Sequence, residues 1–154
     1  MNEKVNFGST KVLKTKKTKL VSDIFSSVSN KYDLMNDAMS FGLHRLWKER
    51  MYIVSKLKNS DNVLDLATGT GDIALKFLSK KKLISITCLD ENQEMLDICK
   101  NRLIDNGFVK DIKFIKSPAE TANLKENSYT LATIAFGFRN FTDHLKSLKN
   151  IYNS

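Results

Sequence analysis

The chain has 154 residues, 42% of them hydrophobic and 27% charged, a make-up that predicts one soluble globular domain with enough chain to bury a sizeable core. Its formal charge is +8, from 25 basic and 17 acidic residues, but the bases are almost all lysine and no aromatic-interleaved RNA motif accompanies them, so an anionic lipid surface is favoured as a partner over nucleic acid. No apolar run approaches a membrane span and no apolar leader follows Met1, so a cytoplasmic protein is expected.

Met1 to Lys19 has no apolar periodicity, and its lysines run from Lys11 to Lys19 with no acid between Glu3 and Asp23. Residues 1–19 are therefore expected to be a flexible basic arm. Leu20, Val21, Ile24, Phe25 and Val28 follow helical spacing and predict a helix. Tyr32 to Ser40 follows as a short helix or turn. Leu43 to Leu57 is amphipathic: Leu43, Leu46, Trp47, Met51, Val54 and Leu57 share one stripe, and Trp47 is expected in the core.

Asn59-Ser60-Asp61 turns the chain into a first strand, where Val63, Leu64 and Leu66 give the apolar run of a parallel strand covered on both faces. A glycine loop follows, and Asp72 opens a helix carrying Ile73, Ala74, Leu75, Phe77 and Leu78. Ile84 to Leu89 reads as the second strand, ended by Asp90. Asn92 caps a helix that runs to about Asn106 and is ended by Gly107. Ile112 to Lys116 is the third strand, Pro118 fixes a turn, and Ala119 to Leu124 is expected to be a short helix. Tyr129 to Phe136 is the fourth strand, and Thr142 caps a last helix through Leu145, Leu148 and Ile151. Alternating strands and helices imply right-handed crossovers and a parallel α/β sheet of order 3-2-1-4. Cys88 and Cys99 are too few to staple such a fold and are expected to be reduced and buried.

Open α/β sheets bind ligands beyond the carboxyl ends of their strands. Gly69, Gly71 and Ala74 satisfy the dinucleotide pattern G-x-G-x-x-G/A. The acids oppose that reading. A pyrophosphate would sit at the helix N-terminus, where Asp72 lies, with Asp65 close by on the strand. No Lys or Arg lies between Asn62 and Ile73 to offset the two carboxylates. A ligand without phosphate and with a cationic ammonium fits better, and S-adenosylmethionine is one. Asp72 also reads as a plain helix cap. Asp90 stands about 20 residues past the glycines, where an acid binds ribose hydroxyls. It suits NAD and S-adenosylmethionine alike, and it also favours the dipole of the helix that follows.

Asp65-Leu66-Ala67-Thr68-Gly69-Thr70-Gly71-Asp72 resembles the first motif of class I methyltransferases, in the form of the ubiquinone/menaquinone biosynthesis C-methyltransferase (UbiE/COQ5) family. Three other stretches resemble that family in the same order. They are Lys31-Tyr32-Asp33-Leu34-Met35-Asn36-Asp37 with Met39 to Lys48, then Asp90-Glu91-Asn92 with Met95-Leu96, then Phe136-Gly137-Phe138-Arg139-Asn140-Phe141-Thr142-Asp143. The likeness runs from about Phe7 to Tyr152.

The resemblance implies S-adenosylmethionine as cofactor and a polyprenylated quinol as substrate, with peripheral membrane contact. Asp65, Gly69, Thr70 and Gly71 would face the methionyl part, Asp90 the ribose, and Pro118, Ala119 and Ala135 the rest of the cofactor. Arg139, Asn140 and Tyr32 would serve catalysis: Arg139 to stabilise a phenolate, and the Tyr32 segment to lie over the cavity. Asn140 reads equally as a local backbone hydrogen-bonder. Pro118 and Ala135 depart from the family, which usually has Asn or Asp at the first and often Ser at the second.

Family members also run on past the position of Ser154. Residues 1–154 are therefore expected to be a single, partial methyltransferase domain with an N-terminal helical segment. Its fourth strand would keep an exposed edge open to self-association. Two other readings stand: a methyltransferase-like remnant without catalysis, and an NAD-dependent oxidoreductase, which Asp72 disfavours.

Overall fold

The computed structural model describes residues 4–7, 10–13, 43–81 and 83–154. The expected helix over 20–28, the Tyr32 to Ser40 segment and Tyr32 itself lie outside these residues. The elements run β1 (Lys4–Phe7), β2 (Thr10–Leu13), α1 (Leu43–Ser55), β3 (Asn62–Leu66), α2 (Asp72–Lys80), β4 (Ser85–Asp90), α3 (Gln93–Asp105), β5 (Ile112–Lys116), β6 (Leu131–Ile134), a 3-10 turn (Gly137–Asn140) and α4 (His144–Asn153).

Part of the 1–19 segment forms a hairpin. β1 and β2 pair antiparallel, Lys4 opposite Leu13 and Phe7 opposite Thr10. The overlooked signal is the Gly8-Ser9 pair between two short β-prone runs, the sequence mark of a two-residue hairpin connection.

The main sheet has four strands in the order β5-β4-β3-β6, and every pairing is parallel. This is the 3-2-1-4 order expected from the sequence. Side chains alternate across the sheet, so β3 feeds two cores. Val63, with Ile86 and Cys88, packs against Ile73 and Phe77 of α2 and Leu96, Cys99 and Leu103 of α3. Leu64 and Leu66, with Leu89, pack on the other face against Ala119 and Ala122. Each large apolar side chain buried this way contributes about 1.5–3 kcal/mol.

The helix ends follow local chemistry. The Asn92 side chain accepts from the backbone N–H groups of Glu94 and Met95 at the start of α3. At the other end Phe108 N–H bonds to Leu103 O at 2.9 Å and Gly107 N–H to Ile104 O at 2.8 Å. Gly107 has φ +82, the left-handed conformation that this double closure needs.

Four expectations change. Most of the predicted 43–57 stripe does not face the core: Leu43, Leu46, Trp47 and Val54 are exposed, whereas Leu57 is buried and Met51 packs against the core. The helix docks through a different face, where Lys48 meets Asp72, Glu49 meets Lys76 and Tyr52 packs edge-on against Phe77. Ala119 to Leu124 is a turn and not a helix. Thr121 N–H closes on Pro118 O, and Asn150 of α4 donates to the carbonyls of Ala119 and Ala122 that a helix would need. The fourth strand is shorter than Tyr129 to Phe136, because Phe136 has φ 65 and turns the chain out of the sheet. The cap of α4 is Asp143, which accepts from Lys146 N–H, and not Thr142.

Candidate active site

A cleft opens at the carboxyl ends of the sheet strands. β3 brings Ala67 and Gly69 to it, β4 brings Asp90, the turn after β5 brings Pro118 and Ala119, and the chain after β6 brings Ala135, Arg139 and Asn140. Of the expected site residues, the structure thus gathers Gly69, Asp90, Pro118, Ala119, Ala135, Arg139 and Asn140 around one space. Asp65, Thr70 and Gly71 do not line it.

Asp65 stands apart because it is buried at 1% exposure in mid-sheet. Thr68 Oγ1 donates to one carboxylate oxygen at 2.6 Å and Thr133 Oγ1 to the other at 2.8 Å. Burial pushes its carboxyl up to about 6, against the partly offsetting hydroxyls of Thr68 and Thr133. It holds the loop to the sheet rather than facing the cleft. Gly71, with φ +83, is needed for packing: a Cβ there would lie 2.5 Å from Cys99 Sγ. Cys88 and Cys99 are both buried free thiols, and the hydrogen bond from Cys99, then burial, raises the Cys88 thiol well above its usual range. Thr70 is buried and receives a 3.5 Å hydrogen bond from Arg102.

The charge argument built on Asp72 changes as well. No base lies between Asn62 and Ile73 in the sequence, but two distant ones reach Asp72 in space: Lys48 Nζ from α1 and Arg102 Nη1 from α3, the latter at 2.6 Å. Burial raises the Asp72 carboxyl, yet the hydrogen bond and charge of Lys48, with the Arg102 guanidinium, hold it below its ordinary value. Asp72 therefore ties three elements together.

Asp90 lies at the cleft wall. Its Oδ2 accepts from Gly69 N–H at 2.9 Å and its Oδ1 from Asn92 N–H at 2.9 Å. Burial raises its carboxyl, and the hydrogen bonds from the backbone of Asn92, Gly69 and Glu91 work against that rise. Each oxygen retains acceptor capacity beyond the bond given. Gly69 has φ +56 and open space around the position of a Cβ, so its backbone is approachable.

Sequence reasoning missed several cleft residues. Glu120 lines the cleft and its Oε1 accepts from Thr142 N–H at 2.7 Å and Asp143 N–H at 3.0 Å, holding the entry to α4. Phe136 and Gly137 also line it. A Cβ on Gly137 would collide with the Ala67 methyl, so the chain after β6 presses directly on the loop after β3. The readable signal was the glycine at a strand end; nothing in the sequence marked Glu120. Among the described residues, no group of three His, Cys, Asp or Glu side chains is placed to hold a metal ion.

A parallel sheet in 3-2-1-4 order, with a glycine loop after its first strand and a cleft at the strand ends, defines the class I methyltransferase fold. Solved structures share it. An S-adenosylmethionine-dependent methyltransferase of Aquifex aeolicus matches with TM-score 0.61 at 26% identity, over 69% of this chain and 56% of that one. A Geobacter sulfurreducens methyltransferase in complex with S-adenosyl-L-homocysteine matches in fold with TM-score 0.59 at 18% identity, over 70% and 42% of the two chains.

The chain belongs to the ubiE/COQ5 methyltransferase family, whose model matches residues 11–154. It is 49% identical over 151 residues to the ubiquinone/menaquinone biosynthesis C-methyltransferase UbiE of Rickettsia prowazekii, covering 96% of this chain and 60% of that protein. It is 42% identical over 151 residues, with the same coverage, to the protein of that name from Wigglesworthia glossinidia brevipalpis. The chain thus spans about three fifths of the length of the curated relatives it matches.

Proposed function

We propose that the protein is an S-adenosyl-L-methionine-dependent C-methyltransferase acting on a polyprenylated quinol, either demethylmenaquinol or 2-methoxy-6-polyprenyl-1,4-benzoquinol. The observation that carries the reading is the meeting of Asp90 with Arg139 and Asn140 around one cleft. An acceptor for sugar hydroxyls and a cation for a phenolate then flank the same space.

The described residues fit the cofactor. Asp90 has acceptor capacity left for ribose hydroxyls, and Gly69 leaves the loop backbone open to it. Pro118 and Ala119 offer backbone groups, not side-chain acceptors, to an adenine. When bound, S-adenosylmethionine supplies an electrophilic methyl on a sulfonium. The residues of the chain hold the acceptor carbon in line with that methyl and exclude water. Arg139 stabilises the quinol oxygen as an anion, which makes the neighbouring ring carbon nucleophilic; a guanidinium stays charged and does not take up the proton itself. Asn140 orients the same oxygen.

The finer partners belong to this reading. The lysine-rich surface favours peripheral contact with anionic lipid at the inner face of a membrane. No helix among the described residues is long and apolar enough to cross one. Self-association would run along the outer edge of β6, which pairs with β3 on its other side.

Isothermal titration with S-adenosylmethionine and with NAD, followed by a methylation assay on both quinols, tests the proposal. Binding of the first alone, with methyl transfer to a quinol ring carbon, is expected. Cofactor binding with no transfer to either quinol would point to a non-catalytic chain, and NAD binding would overturn the assignment.

A further inference from the structure

Phe136 has φ 65 and ψ −13, a left-handed conformation. Such a conformation is a true outlier for a bulky side chain, and outliers of this kind cluster at ligand sites. The residue lines the cleft while its side chain remains 45% exposed. Its ring centroid lies 5.6 Å from that of Trp47 on α1, itself 52% exposed. Leu43, at 47% exposure, precedes Trp47 by four residues, and Leu46, at 66%, follows Leu43 by three. Those spacings set Leu46 and Trp47 on either side of Leu43 along one stripe of the helix. Arg50 is exposed on the next turn and ends the apolar run in that direction. Among the described residues, an apolar ridge therefore leads from the cleft wall at Phe136, over Trp47, toward Leu43.

We infer that this ridge is the track for the hydrocarbon tail of the substrate, with the quinol head at Arg139 and Asn140 and the tail leaving across Phe136 and Trp47. The inference rests on the proposed function, because it assumes a ligand with a polar ring and an isoprenoid chain. Continuity with the cleft selects this occupant: a tail attached to a ring in the cleft must leave by its wall, and the Phe136–Trp47 contact is an apolar exit. The ridge offers contact area without hydrogen-bond partners, which suits a chain of isoprene units and gives affinity that grows with tail length.

The test uses the chain with saturating S-adenosylmethionine and quinols bearing no, one, two or three isoprene units. Trp47 is the only tryptophan in the sequence, so its emission reports on the ridge directly. Farnesol, a three-unit tail without the quinol, serves as a second probe that needs no catalysis. The expected result is a kcat/KM that rises on the order of threefold to tenfold per added isoprene unit, and a blue shift of Trp47 emission on adding farnesol. In Leu46→Asn the ratio of kcat/KM for three units over none should collapse toward one, while Leu46→Met restores it. Trp47→Ala should act as Leu46→Asn does.

A flat dependence on tail length in the wild type overturns the inference while leaving the methyltransferase reading standing. Equal losses for tailed and tail-less quinols in Leu46→Asn also overturn it, in favour of a structural role. If quinol-free vesicles of phosphatidylglycerol and phosphatidylethanolamine bind the wild type but not Leu46→Asn, with no tail-length dependence in solution, the ridge belongs to the bilayer and the inference falls. If no quinol is methylated, the functional reading fails separately, and the absence of a farnesol shift then removes the track as well.

Discussion

Asp65 and Asp90 lie on adjacent strands, and what reaches their oxygens separates their roles. Asp65 is enclosed by two threonine hydroxyls, whereas Asp90 accepts backbone N–H groups and still borders the cleft. Asp90→Ala should weaken S-adenosylmethionine binding by about 1.5–3 kcal/mol, the scale of a hydrogen bond to a charged group. Calorimetric affinity equal to wild type would remove Asp90 from the site. Asp65 predicts a pH effect instead. Its carboxyl rises from 3.8 to about 6 in the fold. A raised carboxyl contributes stability that is whole below the unfolded value and is lost as pH climbs through the folded one. Between about pH 4 and pH 7 the folded state should thus lose on the order of 3 kcal/mol through this residue. Asp65→Asn abolishes that loss, so urea denaturation should show the variant gaining on wild type as pH rises. A difference that does not change with pH would show that Asp65 keeps its ordinary titration in the fold.

At the scale of elements, the loop from β3 to α2 uses two glycines for different reasons. Both have positive φ, but a Cβ on Gly69 meets open space and one on Gly71 meets Cys99 Sγ. Gly69→Ala should therefore cost only the left-handed backbone penalty, about 1–2 kcal/mol. Gly71→Ala adds a collision with the α3 packing and should cost clearly more, about 3 kcal/mol or above. Chemical denaturation of the two variants side by side decides this; equal costs would mean that α3 yields freely. The loop is braced from outside too, because Lys48 of α1 and Arg102 of α3 converge on Asp72. Charge that looks unbalanced along the sequence is balanced across three helices.

For the whole molecule, the proposed self-association turns on the edge of the sheet at β6. β6 pairs with β3 through Leu131 to Ile134, and within the strand no Lys, Pro or acid discourages a second pairing. The chain should self-associate through this edge, and Ala132→Lys, at an exposed position, should shift it toward monomer. Size-exclusion chromatography at several concentrations checks this, and an unaltered monomer for the 154-residue chain would sink it.

The sequence by itself determined the parallel sheet, its order and the loop after β3. These rest on local signals: continuous apolar runs for buried strands, glycine for positive φ, and Asn92 and Gly107 at helix ends. The tertiary structure alone decided which loop residues face the cleft. Asp65, Thr70 and Gly71 have the residue types of a ligand site, yet Thr133, Arg102 and Cys99 claim them from 68, 32 and 28 positions away. The same holds for α1, whose apolar stripe predicted a core face. The helix turns Leu43, Leu46, Trp47 and Val54 of that stripe outward, leaving Met51 and the following Leu57 on the core, because Lys48, Glu49 and Tyr52 find partners on α2, and such partners follow from packing rather than from spacing along one helix.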